Sequence, residues 1–425
     1  TFNGLSAQDG SALSGYATMA SVSSSVPEVY PSTTNYSFYV QDTWRADSRT
    51  TITYGVRWDV NPAPSAWKGS QPFAISSASE TRVSQADPLY NTRWTDFAPR
   101  LGFVRQVKAK PGREMVLRGG FGIFHDPGYG SSMSAFGGAP YSNVRSLTSP
   151  LFPLASSDLS APTLPATKPY GQLGAAERNL QSPAIWQWNA TLERSYGPAQ
   201  VLSIGYAGTH GSRLLRTETR ASYSDDYDVL RIATNGASSS YHALQAQFRR
   251  RFARNLQTQV SYTWAHSIDS ASSDMGMGGF ATLFGSGERG SSDYDIRHNL
   301  NASGSWLLPA PRASWMKAAL GNWWSDFMFV ARTGTPFDIV GVSSASSNSG
   351  SGGFGGGLFA QVRPDYNGKP VWIDDSSVPG GRRLNRAAFD SPSGYAQGNL
   401  GRNALRGFGM SQLDLSLRRQ LSLGE

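Results

Sequence analysis

Residues 51–60 alternate strictly between two kinds of side chain, and no other feature of the sequence constrains the fold as strongly. The larger apolar side chains occupy alternate positions, with small, polar or charged ones between them: Ile52, Tyr54, Val56, Trp58 and Val60, against Thr51, Thr53, Gly55, Arg57 and Asp59. Side chains of a β-strand point alternately to its two faces, so this segment predicts a strand with one apolar and one polar face.

The same alternating unit recurs along the chain and predicts eleven strands, paired as five hairpins and one final strand. The hairpins join residues 36–44 with 51–60, 101–103 with 115–123, 186–192 with 202–206, 244–248 with 256–264, and 299–306 with 324–337, and the last strand covers 413–417. Short polar turns close the first four hairpins, and a longer connection joins the two strands of the fifth. Much longer connections join one hairpin to the next, at about 61–93, 126–183, 214–239, 269–293 and 341–408. Segments 177–181 and 229–233 are the places where a further strand is expected if the count is twelve.

Composition agrees with many strands joined by long loops. The chain has 425 residues with 46 Gly, 18 Tyr, 20 Phe and 12 Trp but only 16% charged residues, which excludes a charge-rich helical enzyme and a disordered chain. The absence of cysteine excludes disulfides and thiolate metal sites. The net charge of +8 is dispersed, with no basic run longer than Arg249 to Arg251, so no nucleic acid partner is expected.

Tryptophans on the apolar face decide between a soluble sandwich and a membrane barrel. A sandwich fills its core with Val, Leu and Ile from two facing sheets, whereas here aromatic residues stand near strand ends: Trp44, Trp58, Trp186, Trp188, Trp264, Trp306, Trp323 and Trp324. Aromatic girdles around an apolar band, with a polar opposite face, are typical of transmembrane barrels. No signal peptide is found in the first residues, and no window reaches the roughly 18 apolar residues of a spanning helix. The sequence therefore predicts an all-β fold, an antiparallel transmembrane β-barrel with long extracellular loops.

A series of motifs resembles the TonB-dependent receptors of the Oar-like type, which are outer-membrane barrels. The stretch from Gly398 to Gly407 (GNLGRNALRG) followed by DLSL at 414–417 carries the clearest likeness. Further similar motifs follow one another along the chain: FYVQDTW at 38–44, TITYGVRW at 51–58, FAPRLGF at 97–103, LRGGFGIF at 117–124, GYAGTHGSRL at 205–214, DYDIRHN at 293–299, RTGTPF at 332–337 and NRAAF at 385–389. The resemblance covers about residue 35 to the end.

This resemblance implies an outer-membrane location in a Gram-negative bacterium and energised uptake of a solute. Residues 34–425 are expected to be the C-terminal part of the barrel, about 11–12 strands of a probable 22, with residues 1–33 as a loop or disordered lead-in. The expected partners are outer-membrane lipid and lipopolysaccharide, an unknown extracellular ligand, and the TonB complex through a plug domain absent from this chain, as are the final strands. Two alternatives stay open: a non-transporting barrel for adhesion or envelope architecture, and a secreted all-β carbohydrate-active protein.

No residue receives a catalytic, cofactor-binding or metal role, no cofactor is expected, and the substrate-binding residues remain unknown. Five histidines (125, 210, 242, 266 and 298) lack metal-binding spacing and favour hydrogen bonding at the rim. Gly119, Gly120 and Gly122 favour small positions in a barrel wall over a phosphate loop. The acid pairs 225/226, 293/295 and 374/375 are interpreted as solvated, calcium-binding or lipopolysaccharide-bridging groups. Arg57, Arg118 and Arg249 are predicted to face inward, because arginine facing lipid at mid-bilayer costs about 2–4 kcal/mol. There they would pair with acids of a plug or attract anionic solutes.

Overall fold

The computed structural model describes residues 15–16, 19–26, 28–77, 80–148, 150–164, 167–253, 255–273, 289–309, 321–345, 358–392 and 397–420. Eleven long strands form one wall: β1 Tyr36–Asp47, β2 Thr50–Val60, β3 Asp96–Lys108, β4 Met115–His125, β5 Ala184–Tyr196, β6 Gln200–Ser224, β7 Tyr227–Ala253, β8 Leu256–Asp269, β9 His298–Leu307, β10 Trp323–Arg332 and β11 Met410–Arg419. Each pairs antiparallel with the next along the chain, and β1 and β11 are the edges of the described sheet. The all-β, antiparallel prediction is confirmed.

Short turns and long connections fall at opposite ends of this wall, which we call the turn end and the loop end. Tight turns at the turn end need residues that accept positive φ, and Gly112 (72°), Gly197 (70°) and Asn255 (66°) supply them. The predicted strand 324–337 is wrong in its last part, because β10 ends at Arg332 and residues 336–337 form a separate short strand. Between them Gly334 passes so close to the backbone of Gly407 that a side chain there would collide with it.

Pairing register puts apolar residues of successive strands in continuous rows on one face. One such row runs Leu117, Leu192, Ile204, Ala246, Tyr262 and Leu300. Large side chains on this face are exposed, with Ile204 at 47% and Leu192 at 41%. Since a soluble sandwich would bury such a face under a second sheet, this exposure is what a lipid-facing wall requires.

The connection predicted for residues 214–239 is wrong, because β6 and β7 continue through it as a paired hairpin, 25 and 27 residues long. Two features conceal this hairpin in the sequence. Register shifts follow Gly211 and Leu214, beside a left-handed Arg213, and interrupt the alternation. In addition, Val229–Ala233 pairs with a further strand, and most of its side chains are buried. The segment 229–233 is therefore a strand but adds none to the wall, and of 177–181 only Glu177 is in a strand.

Short elements fill the remaining connections. The described strands are Gly15–Tyr16, Met19–Ser25, Pro31–Ser32, Ser65–Ala66, Phe73–Ile75, Ser84–Gln85, Ser142–Thr148, Leu151–Phe152, Gln172–Glu177, Gly290–Ser291, Pro336–Phe337, Gly341–Ala345, Leu358–Val362, Asp365–Tyr366, Trp372–Asp374, Arg382–Leu384, Phe389–Asp390 and Leu405–Arg406. Helix α1 (Tyr129–Ser132) runs into a 3₁₀ helix, Met133–Phe136, and another covers Arg386–Ala388. In the predicted lead-in, Met19–Ser25 pairs with Ser142–Thr148. Among the described residues, no helix combines the length and apolar character needed to cross a membrane.

Candidate functional site

Arginine and carboxylate side chains meet repeatedly on the polar face of the wall. Near β1 and β2, Arg57 Nε lies 2.7 Å from Asp59 Oδ1, and Arg57 Nη2 donates to Ser37 Oγ at 2.7 Å. In the middle of the sheet, Arg118 Nη1 lies 3.2 Å from Glu193 Oε2 across β4 and β5. Arg57 and Arg118 were predicted to face inward and pair with a plug or attract anions, and here both pair with acids of the wall itself.

A third pair lies at the other edge of the sheet, close to the turn end like the pair of Arg118 and Glu193. Arg418 Nε of β11 lies 2.8 Å from Asp326 Oδ2 of β10, and Ser305 Oγ of β9 donates to the same carboxylate at 2.5 Å. The alternation of the strands brings these groups to one face, where water can solvate the partly exposed ions. The polar face therefore carries charge of both signs across its width.

Arg249 has a different setting from the paired arginines. It lines two cavities on the polar face near the turn end, of about 430 and 490 Å³, which also have Arg251 in their walls. Polar side chains make up much of the rest of both linings, among them Gln247 and Glu193 in the larger cavity and Gln257 and Ser303 in the other. A cationic, partly enclosed surface of this kind suits anionic groups.

The first two long connections, together with the outer halves of β6 and β7, pack into one body at the loop end, which we call the cap. Its centre is strand Gln172–Glu177, which runs parallel to both Phe73–Ile75 and the outer part of β7. Two buried clusters hold it together: Phe73, Ile75, Val83, Ala139, Leu173, Ala175, Tyr227, Leu230 and Ile232, and Ala63, Ala74, Ala86, Leu89, Tyr90, Ala135, Ala176, Leu180, Leu215 and Ala233. The long loops are thus joined by a hydrophobic core of their own.

One glycine allows the 3₁₀ helix of the cap to contact the central strand. A Cβ atom placed on Gly174 would overlap the carbonyl oxygen of Ser134, and it would also lie 3.0 Å from the carbonyl oxygen of Gly137. Backbone approaches this close exclude any side chain at position 174. The run QLGAAE at 172–177 could have signalled this strand, because it is small and apolar in a connection that is otherwise rich in Pro and Ser.

Buried polar groups lie where the cap meets the wall. Asp96, with no exposed surface, has Arg93 Nε 2.8 Å from its Oδ1. Gln181 Oε1 accepts hydrogen bonds from Arg93 Nη1 at 2.5 Å and from Arg213 Nη1 at 3.1 Å. These residues connect three different segments of the chain, and the sequence offered no sign of them, because they lie far apart and outside any recognisable motif.

The GRNALRG motif fastens the last long connection to the loop end of β8. Arg402 Nη1 donates to Asp269 Oδ1 at 2.5 Å and Arg402 Nη2 to Ser272 Oγ at 2.7 Å. Asn403 Nδ2 donates to Asp293 Oδ1 at 2.6 Å. Arg406 forms an ion pair with the carboxylate of Asp295, which is 1% exposed. We call these contacts the latch.

Four of the six acids form ion pairs in the structure and are not free solvated groups, whereas Asp225 and Asp374 are exposed. Asp293 and Asp295 belong to the latch. Asp226 accepts from Lys168 Nζ at 2.6 Å, and Asp375 lies 2.8 Å from Arg383 Nε. Apart from Arg383, which lies 8 residues after Asp375, the basic residues that neutralise them come from distant positions, so the sequence spacing of the acids alone could not reveal the pairing.

The histidines singled out in the sequence form hydrogen bonds or cross-strand contacts, and the glycines are positions of close packing within a strand. Tyr206 Oη lies 2.7 Å from His242 Nδ1, Tyr262 Oη 2.8 Å from His298 Nδ1, and His210 Nδ1 3.2 Å from Ser240 Oγ. His125 Nε2 lies 3.2 Å from the carbonyl oxygen of Phe97, and His266 faces His242 across β7 and β8. The three glycines of the GGxG run lie inside β4, where a Cβ on Gly119 would overlap the ring of Phe103.

Buried tyrosines make the cap sensitive to alkali. Burial raises the pKa of Tyr90 to about 12 and that of Tyr141 to about 12, from 10.0. The folded cap favours the neutral phenol, so its stability is complete below pH 10 and falls as the pH rises from about 10 to about 12. We expect hydrogen exchange in the cap to accelerate over that interval, and to accelerate less in Tyr90→Phe. A difference titration of tyrosinate absorbance, wild type minus Tyr90→Phe, checks the assignment, and a midpoint near 10 contradicts it.

Comparison with known proteins gives one family and several solved structures. Residues 2–425 match the family model described as outer membrane beta barrel domain. The chain is similar to the FrpB iron transporter from Neisseria meningitidis (F3-3 variant), with 11% identity and a TM-score of 0.41 over 73% of this chain and 34% of that one. It is also similar to the copper transporter OprC, with 13% identity and a TM-score of 0.40 over 70% and 34%. A third similar structure is a mutant of the ferric enterobactin receptor PfeA from Pseudomonas aeruginosa, with 10% identity and a TM-score of 0.38 over 90% and 44%.

This chain therefore spans between about a third and a half of the length of those three proteins. No curated protein matches it.

Proposed function

The chain belongs to the family of outer membrane β-barrel domains, and on that premise we propose that it forms part of the wall, with the outer loops, of a TonB-dependent receptor. Its location is the outer membrane of a Gram-negative bacterium. In such barrels short turns face the periplasm and long loops face the outside, which puts the cap and the latch at the cell surface. The proposed activity is binding of a solute by these loops, followed by energised passage along the lumen, with no bond made or broken.

The observation that carries this proposal is the polar face of the wall. Ion pairs at Arg57, Arg118 and Arg418 span the sheet from β2 to β11, and the cavities at Arg249 add cationic surface near the turn end. Exposed and half-exposed charges of this kind need water, so the face suits an aqueous interior through which a polar solute can move. A barrel whose interior served only to fill space could use apolar side chains instead.

The ordered motif series from residue 38 to residue 417 supports the assignment to the TonB-dependent, Oar-like class. Energy coupling would come from the TonB complex acting through a plug domain. The wall residues Arg57 and Arg118 already have acidic partners, whereas Arg249 and Arg251 form no ion pair with any residue in the part of the chain that the structure describes. Arg249 and Arg251 are therefore better placed to meet acids of a plug or an anionic solute.

A strain lacking the gene, compared with the same strain making the whole protein, tests the function. We expect mass spectrometry of the spent medium to show at least one component that is depleted only by cells that make the protein. Because TonB draws on the proton-motive force, a protonophore should abolish that depletion while leaving binding at the cell surface.

The alternative is an adhesion or envelope-structural barrel, and the cap is the feature that favours it. Its two buried clusters make it a firm surface body, which a protein that holds neighbouring cells or polymers also needs. In the same pair of strains, altered cell aggregation with no protonophore-sensitive uptake would favour this alternative over transport.

A further inference from the structure

Ring nitrogens and one guanidinium gather on the apolar face of the wall, at the loop end of β6 to β9. The side chains of His210, His242, His266 and His298 lie on the same face as those of Tyr206, Trp264 and Leu300, opposite to the polar face. His242 and His266 are direct cross-strand partners. This is the face that meets lipid, so the four histidines form a short polar belt on an otherwise apolar surface.

Arg289 adds a fixed positive charge to this belt. Its Nη2 donates to Ser240 Oγ at 3.0 Å and its Nη1 to Ser238 Oγ at 3.1 Å, while His210 Nδ1 lies 3.2 Å from the same Ser240 hydroxyl. The serine thus holds a guanidinium and an imidazole side by side. Arg289 is itself exposed, so its remaining N–H groups can reach a ligand.

Two tyrosines orient the belt histidines in the same way. Tyr206 stacks on His242 with ring centroids 6.2 Å apart, and Tyr262 stacks on His298 at 6.2 Å, each with its hydroxyl within 2.8 Å of Nδ1. When the phenol donates to Nδ1, the proton of a neutral imidazole stays on Nε2. Nε2–H is then a hydrogen-bond donor without any need for the ring to be charged.

The position of the belt matches the outer border of the membrane. His266 lies ten residues after Leu256, the first residue of β8 at the turn end. At a rise of about 3.3 Å per residue and a tilt of about 40°, this distance is about 25 Å along the membrane normal, the usual height of the apolar band. The donors therefore lie at the level of lipid headgroups in the outer leaflet.

Carboxylates near the belt are already neutralised by the latch. Asp269 is bound to Arg402, and Asp295 lies within ion-pair distance of both Arg406 and Arg297. Both carboxylates are almost fully buried. The belt therefore presents donors and positive charge outward without an exposed acid in its own row.

We propose that Arg289, His210, His242 and His266, with His298 beside them, bind a phosphate group of lipid A in the outer leaflet. A phosphate offers several acceptor oxygens and negative charge to the guanidinium, and lipid A holds it at the depth of the belt while its acyl chains lie along the apolar rows below. This site is independent of any solute that the loops or lumen bind.

The test uses the purified protein in phosphatidylcholine nanodiscs, titrated with lipid A and with the same lipid A lacking its phosphates. Native mass spectrometry counts the bound lipid. We expect the wild type to prefer the phosphorylated form, and His242→Gln/His266→Gln/Arg289→Gln to bind it about tenfold more weakly, as loss of charge-assisted bonds implies. Arg289→Lys should retain part of the preference.

Arg194→Gln is the matched control, because Arg194 lies on the same apolar face, paired with Leu202, but near the turn end. It should keep the full preference for phosphorylated lipid A. An equal loss in Arg194→Gln, an unchanged preference in the triple variant, or displacement of the lipid by the same concentration of inorganic phosphate would each overturn the proposal. Heat-modifiable migration of every variant checks folding, and Arg289→Gln alone serves if the triple variant does not fold.

Discussion

Ile204→Arg is expected to destabilise the folded protein by about 2–4 kcal/mol, whereas Ser203→Arg one position away should cost about 1 kcal/mol or less. Ile204 is 47% exposed on the apolar face, near the middle of the membrane-spanning part of β6. An arginine there would have to leave its charge in hydrocarbon or distort the bilayer. Ser203 faces the lumen, and its register partner on β5 is Glu193, which can accept a new arginine as a neighbour.

The free energy of unfolding in urea, measured for both variants in the same lipid vesicles, checks this difference. The two substitutions introduce the same side chain at adjacent positions of one strand, so the change in net charge is the same in both. Equal destabilisation would show that the face we assign to lipid is not in contact with it. A larger loss for Ser203→Arg would mean that the two faces are reversed.

The wall could be predicted from sequence because one face meets lipid and the other meets water. Apolar and polar side chains therefore alternate along its strands with a period of two residues. Residues 51–60 carry that period without exception, and the structure pairs them throughout with β1 and β3. The turns at Gly112, Gly197 and Asn255 were equally accessible, since these are residues that such turns require. Local chemistry dictates these features, and no distant partner has to be known.

The cap and the latch could not be predicted, because their residues are defined by partners far away in the chain. Leu173 and Leu230 meet only when two connections align in parallel, and a strand buried on both faces shows no alternation. Arg402 is recognisable as part of a motif, but its role depends on Asp269, 133 residues earlier. Arg57 and Arg118 lie on the polar face, as predicted, but their partners were overlooked: Asp59 is two residues further along the same strand as Arg57, and Glu193 lies on the strand next to that of Arg118.

Arg402→Met is expected to destabilise the attachment of the last long connection by about 3–5 kcal/mol, because it leaves the carboxylate of Asp269 buried without its counter-ion. The side chains of both residues are less than a tenth exposed, and Asp269 has only 7% of its side chain in contact with solvent. Arg402 also donates to Ser272 Oγ, so its loss releases two segments at once. Hydrogen exchange of residues 397–406 measures the local opening directly.

Two further variants separate the buried charge from general effects of substitution. Arg402→Met/Asp269→Asn removes both charges and should recover much of the lost protection, since no ion is then left buried without a partner. Arg383→Met breaks the pair with Asp375 in the same connection, where the arginine side chain is 56% exposed, and should cost less than about 1 kcal/mol. If Arg402→Met and Arg383→Met accelerate exchange to the same extent, the buried pair of the latch stabilises the connection no more than an exposed surface pair does. If only Arg402→Met does, the buried pair holds the connection in place, and a loop held this firmly would present the same surface to every extracellular ligand.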